Sequence, residues 1–573
     1  MPISSLFTLK IGGEAGQGIK SAGLLFGKVA TRSGYWIFNY TEYPSLVRGG
    51  HNMMQTTISS EEVTAPTLHT NLLIALNQET IDLHHHEISD GGAILFDKDK
   101  NFDTSKVKTT VNIIEVPLVA LAKKVGGMEL MSNTVALGAS VALLAGDIKH
   151  LRNMVEEEFG KKKPAMVKIN QDAAQAGFDY IVKNYSQDIQ QVIKPRENPE
   201  PKMIVNANET TAMGAIAAGM QFYCAYPMTP ATNIIHNLAP LQQKYGFIYK
   251  QPEDEIASIN MAIGAANAGA RSMVGTSGGG FCLMAEGYGL AGITETPLVI
   301  VNAMRSGPAT GLPTWSEQSD LLMALYSHQG DFPRIVLAAG DPEEAFYLTM
   351  KAFNLAEKYQ TTVLLLTDKL ICENDQSYHF FDYKDFVLNR GKYTIKKQDN
   401  YNRYELTDDG ISLRSPLGVG NFFIANSDEH DAEGFSNEGI ENRNQQMAKR
   451  MKKMEICKKE DMDGPTLFGP EEAEITLVSW GSNKGSILQA LKEFDNVNYL
   501  HLTMINPFPV EQVAERLKKA KYLINVEQNF TAHMSKIIKQ TTGIEILDNL
   551  LKYDGRPIYP EEIISKINQV LGR

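Results

Sequence analysis

Short apolar runs alternate with amphipathic stretches along almost the whole chain, and this rhythm restricts the fold more than any other feature. SLFTLKI is followed by GIKSAGLLFGKVATRSG, then by NLLIALN, GGAILFD and VNIIEV, each run short and bounded by Gly, Asp or Asn. Such runs satisfy their backbone by pairing, and helix-length connections between them favour parallel pairing with helices packed on the sheet faces. The chain is therefore read as α/β.

The rhythm breaks at places that divide the 573 residues into three α/β domains. After Tyr185 it dissolves into SQDIQQVIKPRENPEPK, where Pro195, Pro199 and Pro201 sit among charges and continue neither helix nor strand. This places a first domain over 1–190 and a linker over 191–202. A second block, 203–374, carries QFYCAYP, GFIYKQ, SMVGTS, TPLVIVNAM, RIVLAAG and TTVLLLT as strands. Residues 375–470 turn polar, with NSDEHDAEGF and the charge run KRMKKMEICKKEDMDG, and read as an excursion and connector. The closing 471–573 repeats a βαβα pattern through EITLVSWGS, a helix at ILQALKEF, VNYLHLTMINPF and YLINVEQN.

A formal net charge of -12 and a pI near 5.6 argue against nucleic acid and anionic membrane as partners, since phosphate surfaces select Lys and Arg. Cys224, Cys282, Cys372 and Cys457 lie far apart with no CxxC pair, so they read as reduced, mostly structural thiols, and no metal site is expected. TVALGASVALLAG falls short of the roughly 20 residues that a membrane span needs and reads as a buried helix. The start, MPISSLFTLKIGG, lacks a signal-peptide pattern, so a cytoplasmic protein is expected.

In an open parallel sheet, ligands sit beyond the carboxyl ends of the strands. In the second domain those ends read YPMTPAT, QPEDE, TSGGGF and MRSGPATG. Each has an ordinary reading. Glu253, Asp254 and Glu255 follow Pro252 at the start of a helix, where acids stabilise the dipole. TSGGGF fits a flexible turn as well as close approach of a ligand to bare amides. Arg305 fits a surface ion pair. A hydroxyl, a carboxylate, an amide-lined turn and a guanidinium on one rim together favour a site.

YPMTPAT, EDEIASINMAIGAANAG, TSGGGFCLMAEG and RSGPATGLPTWSEQSDLLMAL together resemble the α subunit of 2-oxoacid:ferredoxin oxidoreductases, in the form with a γ domain fused ahead of α. The resemblance runs through the whole chain. It implies a γ domain of the pyruvate/ketoisovalerate oxidoreductase catalytic type, then a thiamine-diphosphate pyrimidine-binding domain, then a transketolase C-terminal-like domain. It implies that Glu255 hydrogen-bonds N1′ of the thiamine diphosphate aminopyrimidine, with a pKa raised if the site closes. Arg305 and Thr229 match the residues that hold the substrate carboxylate, and Tyr226, Pro227, Met228, Thr276, Ser277 and Gly278 match the cofactor lining. The implied reaction is oxidative decarboxylation of a 2-oxo acid, 2-oxoglutarate before pyruvate or a branched-chain acid, with coenzyme A, giving succinyl-CoA, CO2 and reduced ferredoxin.

The GDG…N pattern that anchors the diphosphate through Mg2+ has no match, since AAGDPEEA and SDGGAIL lack the glycine pair and the downstream Asn. The resemblance therefore implies a β subunit carrying the diphosphate and Mg2+ site and a 4Fe-4S cluster, in an (αβ)2 heterotetramer that reduces ferredoxin. In the first domain, KIGGEAGQGIKSAG places Gly13, Gly16 and Gly18 outside GxGxxG order, so it reads as strand-to-helix punctuation or as a phosphate cradle. The resemblance implies that Gly16, Gln17 and Gly18 contribute to the coenzyme A site, with Arg48 a weaker candidate. His84, His85 and His86 diverge by about 100° each on a helix and read as a solvated face. SWGSNKG and NVEQNFTAH resemble the family's end domain, whose part is assembly and a contact near the site. Rival readings are a non-catalytic CoA-binding assembly subunit and a dinucleotide-dependent oxidoreductase using the N-terminal glycine turn.

Overall fold

Three β-sheets organise the chain, and the computed structural model describes residues 6–46, 49–161 and 164–572. The first sheet runs Asn112–Val116, Ile88–Asp97, Thr70–Ala75, Phe7–Glu14, His51–Ser59, Trp36–Glu42, Gln376–Tyr378 and Met203–Val205. Phe7–Glu14 is parallel to Thr70–Ala75 and antiparallel to His51–Ser59. The last two strands come from beyond the linker and extend the sheet antiparallel, pairing Gln376 with Phe38 and Ser377 with Ile204. Three-residue strands such as these are too short for periodicity to reveal. The linker is packed down: the Arg196 amide donates to the Ser33 carbonyl at 3.0 Å, its guanidinium lies over the Tyr35 ring, and Ile193 is buried. TVALGASVALLAG contributes to the helix Ser132–Leu143, buried from Thr134 to Leu143. That helix packs closely on Pro164–Asn184, because Gly138 and Gly177 leave room where a Cβ would strike the facing backbone. Among the described residues, no helix is long and apolar enough to cross a membrane.

The second sheet runs Met504–Asn506, Arg334–Ala338, Thr362–Asp368, Leu298–Met304, Ser272–Thr276, Phe222–Cys224 and Ile248–Lys250. All but Met504–Asn506 are parallel. Leu298–Met304 is buried along its whole length, and its alternating side chains enter two cores. Val299, Val301 and Ala303 pack with Phe346 and Phe353 of the helix Pro342–Tyr359. Leu298, Ile300 and Met304 pack with Ile259 and Met284 of the helices Glu255–Asn267 and Gly278–Ile293. The third sheet runs Thr466–Phe468, Val497–Leu502, Ile475–Trp480, Tyr522–Glu527 and Asp548–Leu551. VNYLHLTMINPF, expected as one strand, divides at Thr503: Val497–Leu502 joins the third sheet and Met504–Asn506 caps the second.

The polar stretch is anchored by buried charge. The run KRMKKMEICKKEDMDG falls largely within the helix Ile440–Glu460, in which Lys449, Arg450 and Lys453 are buried. Lys449 lies 2.7 Å from Glu295 and Lys453 pairs with the same carboxylate, which is wholly buried in the turn before Leu298–Met304. Arg450 pairs with Glu429 at 2.7 Å, and Arg390 and Arg414 converge on Glu357. Burial alone would raise the Glu295 pKa, but Lys449, Lys453 and Arg403 hold it far below the usual carboxylate range. Glu295→Gln strands two buried ammonium groups and should cost about 3–5 kcal/mol, read as a lowered thermal midpoint. A loss under about 1 kcal/mol would mean that water reaches the lysines.

Candidate active site at the carboxyl edge of the second sheet

Parallel pairing brings the ends of four strands to one edge, and the intervening loops touch there. YPMTPAT leaves Phe222–Cys224 with Tyr226 exposed and Pro227, Met228 and Thr229 half-buried. Arg305, just past the end of Leu298–Met304, donates from Nη1 to the Thr229 carbonyl at 2.9 Å. Asn208 donates to the Pro230 carbonyl at 2.9 Å, so the loop is held from both sides. The Thr229–Pro230 peptide is cis.

Glu255 is the first residue of its helix, and the preceding Asp254 caps that helix by accepting from the Ala257 amide at 2.7 Å. The two acids have different jobs. Asp254 satisfies a helix amide, whereas Glu255 is 3% exposed and its Oε1 has no hydrogen-bond partner among the described residues. Burial raises the Glu255 pKa, a backbone hydrogen bond opposes the shift and the nearby Asp254 carboxylate adds to it. Thr276 and Ser277 are buried at the end of the neighbouring strand, and the Ser277 hydroxyl is likewise without a hydrogen-bond partner among the described residues.

The three glycines that follow are not equivalent. A Cβ on Gly280 would strike Thr276 Oγ1 and come within 2.7 Å of Glu255 Oε1. A Cβ on Gly278 would strike the Asp320 carboxylate, whereas Gly279 faces open space with only the Ala309 carbonyl at 3.9 Å. Two glycines therefore make room for carboxylates beside the start of the helix Gly278–Ile293.

In the first sheet, Gly16 and Gly18 take the left-handed backbone at φ 94 and 72, and Gly18 precedes the helix Ile19–Arg32. The Gln17 side chain folds back to accept the Glu14 amide at 2.7 Å, while Asn133 donates to the Gln17 carbonyl at 2.9 Å. Among the described residues, no side chain caps the helix start. A cavity of about 220 Å³ opens beside the turn, walled by Leu25, Leu130, Met131, Leu137 and Phe159. Arg48 lies outside the described residues.

Two family models match this chain. Residues 213–449 match the thiamine-diphosphate-binding domain of pyruvate flavodoxin/ferredoxin oxidoreductase, and residues 8–180 match pyruvate ferredoxin/flavodoxin oxidoreductase. A 2-oxoacid:ferredoxin oxidoreductase α subunit from Sulfolobus is 32% identical, over 98% of this chain and 96% of its own length. The chain belongs to the 2-oxoacid:ferredoxin oxidoreductase α subunits. A 2-oxoglutarate synthase subunit KorA from Methanothermobacter thermautotrophicus is 31% identical over 63% of this chain and 97% of its own. The 2-oxoglutarate:ferredoxin oxidoreductase of Magnetococcus marinus, solved with 2-oxoglutarate, coenzyme A and succinyl-CoA bound, superposes with a TM-score of 0.92. It is 31% identical and the match covers 99% of both chains. This α subunit is thus one part of a multi-subunit oxidoreductase.

The structure of the α subunit adds residues that motif reading passed over. Asp320 lies inside the quoted RSGPATGLPTWSEQSD stretch, yet only the fold shows its carboxylate over Gly278, accepting from Asn302 Nδ2 at 3.1 Å. Burial pushes its carboxyl up to about 6, against the pull of Asn302 and Arg305. His84 corrects the reading of the histidine run. It is buried, with Nε2 2.9 Å from His51 Nε2 and Nδ1 2.8 Å from Glu87, which also pairs with Lys10. The divergence that turns His86 outward turns His84 inward. For the glycines the geometry sets opposite outcomes: Gly280→Ala should destabilise by about 1–3 kcal/mol through overpacking, whereas Gly279→Ala should stay within about 0.5 kcal/mol of wild type. Thermal unfolding of the two variants side by side checks this.

Proposed function

We propose that this α subunit supplies the pyrimidine half of a thiamine-diphosphate site, and the groups that hold the substrate carboxylate, in an enzyme that oxidises 2-oxoglutarate. Coenzyme A is the acceptor, and the products are succinyl-CoA, CO2 and reduced ferredoxin. The observation that carries this reading is Glu255, a buried carboxyl with an unpartnered oxygen at the carboxyl edge of a parallel sheet. Such an oxygen fits the aminopyrimidine N1′ of the cofactor. Thiamine diphosphate, when bound, supplies the nucleophilic carbon and electron sink that decarboxylation of a 2-oxo acid requires.

This chain's own groups have separable tasks. Glu255, its acidity weakened by burial, holds a proton at the N1′ position. Arg305 and the Thr229 hydroxyl bind the carboxylate of the 2-oxo acid, and the Arg305 bond to the Thr229 carbonyl keeps the two together. Tyr226, Pro227, Met228, Thr276, Ser277 and Gly278 line the cofactor. Gly16, Gln17 and Gly18 offer backbone at an uncapped helix start to coenzyme A phosphate, with the apolar cavity alongside. Residues 1–190 form the γ domain, 203–374 and 471–573 the two α domains, with 191–202 the linker and 375–470 the connector. A β subunit brings Mg2+, the diphosphate site and a 4Fe-4S cluster, in a cytoplasmic (αβ)2 assembly. The bound molecules of the Magnetococcus marinus relative support 2-oxoglutarate; the pyruvate named in the matching family models supports pyruvate as the second substrate reading.

The test is an anaerobic assay of this chain with its β partner, following CoA-dependent ferredoxin reduction across a panel of 2-oxo acids. A preference for 2-oxoglutarate is expected. Preference for pyruvate moves the specificity, and no turnover with any 2-oxo acid removes the reading. Glu255→Gln should lower kcat about 10²- to 10⁴-fold in an intact complex, and an unchanged rate would refute the assignment of Glu255. Asp320 should act on the pH dependence. As pH climbs through about 6 its carboxylate ionises and partly cancels the Arg305 charge offered to an anionic substrate, so KM should rise. Asp320→Asn should flatten that rise.

A further inference from the structure

The loop that follows Arg305 leaves the second sheet, returns at Asp320 and is pinned to the C-terminal domain over 315–318, while 307–311 is exposed. At its root, the Ser306 amide donates to the Trp315 carbonyl at 3.2 Å and the Ser306 hydroxyl donates to the Ser316 carbonyl at 3.3 Å. Leu312 closes the turn with its amide on the Ser306 carbonyl at 3.1 Å. Asn302, three residues before Arg305, holds Asp320. The chain on either side of Arg305 is therefore tied to 315–320, through the Ser306 backbone and the Asn302 side chain, so what fixes that segment helps to set where the guanidinium leaves the strand to reach the Thr229 carbonyl.

What fixes it is Gln318, which is fully buried. Its side-chain nitrogen donates to the Trp480 carbonyl at 3.1 Å and to Asp368 at 3.4 Å. Its side-chain oxygen accepts from Asn483 at 2.7 Å and from the Gln528 amide at 3.2 Å, and its own amide donates to the Gln528 carbonyl at 2.7 Å. Asp368 ends the strand Thr362–Asp368 of the second sheet and Trp480 ends the strand Ile475–Trp480 of the third, so one amide bridges the carboxyl ends of two sheets. Neighbours reinforce the seam. The Ser316 amide donates to the Gly555 carbonyl at 3.0 Å, its hydroxyl donates to Gln528 at 3.2 Å, and Arg556 stacks 3.6 Å from the Trp315 ring centre. Gly481 is required here because a Cβ would lie 2.5 Å from the Gln318 side-chain nitrogen.

We propose that Gln318 is a positioning residue for the substrate-binding guanidinium: through it the C-terminal domain helps to set the place of Arg305. This rests on the reading of Arg305 as the group that holds the 2-oxo acid carboxylate. Gln318 can do this because its donor and acceptor are both used, so the amide has one orientation and no freedom to swing. Loss of the seam should release the loop without touching Glu255, which stands on a different helix.

The test compares variants in the complex reconstituted with the β partner and loaded with thiamine diphosphate. Gln318→Leu should raise KM for the 2-oxo acid about tenfold while kcat stays within about twofold, the pattern of lost substrate binding. Gln318→Glu should fall between Gln318→Leu and wild type, because two adjoining buried carboxyls share a proton that restores one donor. Ser316→Ala, which removes one bond from the seam, should raise KM about twofold and serves if Gln318→Leu does not assemble. Arg305→Lys is the control. If it raises KM while the Gln318 and Ser316 variants that assemble leave KM at the wild-type value, the positioning role is overturned and Gln318 is only a packing residue. If Arg305→Lys itself leaves KM unchanged, the reading of Arg305 fails and the inference falls with it.

Discussion

Parallel pairing of Leu298–Met304 between Thr362–Asp368 and Ser272–Thr276 is the constraint on which the rest of the structure depends. A strand buried on both faces needs helices on both, and each helix must begin where the preceding parallel strand ends. That geometry places the starts of Glu255–Asn267 and Gly278–Ile293 together, with Arg305 at the end of the next strand. Antiparallel neighbours would have sent alternate loops to opposite edges and left Glu255, Thr276 and Arg305 without a common rim.

Buried carboxylates are used in two ways in this α subunit. Glu295 and Glu357 are saturated by cations and hold the long polar excursion against the second domain. Among the described residues Glu255 has no paired cation and keeps an unpartnered oxygen, while Asp320 accepts from the Asn302 amide and has a weakened acidity. A desolvated acid without full compensation costs stability, and its persistence at a sheet edge is what the proposed binding role would require, whereas the paired acids anchor the excursion.

The C-terminal domain meets the second domain along polar rather than purely apolar contacts. The amides of Gln318, Asn483 and Gln528 interlock at the carboxyl ends of two sheets, and Met504–Asn506 crosses over to cap the second sheet. Directional bonds fix an orientation that apolar packing alone would leave loose. The first domain is joined in a similar way, through the paired strands Met203–Val205 and Gln376–Tyr378 and the packed linker.

The sequence by itself determined the α/β class, four strands of the first sheet, the parallel strands of the second, the three longest of the third, the buried helix at Ser132–Leu143 and the segments that carry Glu255, Thr229 and Arg305, but not the antiparallel pair Trp36–Glu42 and His51–Ser59. These were legible because periodicity and turn residues are local, and because a strand's end is where its following loop must lie. Tertiary structure alone decided the remainder. The short strands at 203–205 and 376–378 and the division at Thr503 carry no period, and the burial of His84, Lys449 and Lys453 depends on partners far along the chain. Asp320 and Gln318 stand within a quoted motif, but their roles come from Gly278, Asn302, Asp368, Trp480 and Gln528, which only the packing of three sheets brings to them. A hydrogen bond between distant residues leaves no spacing in the chain to read.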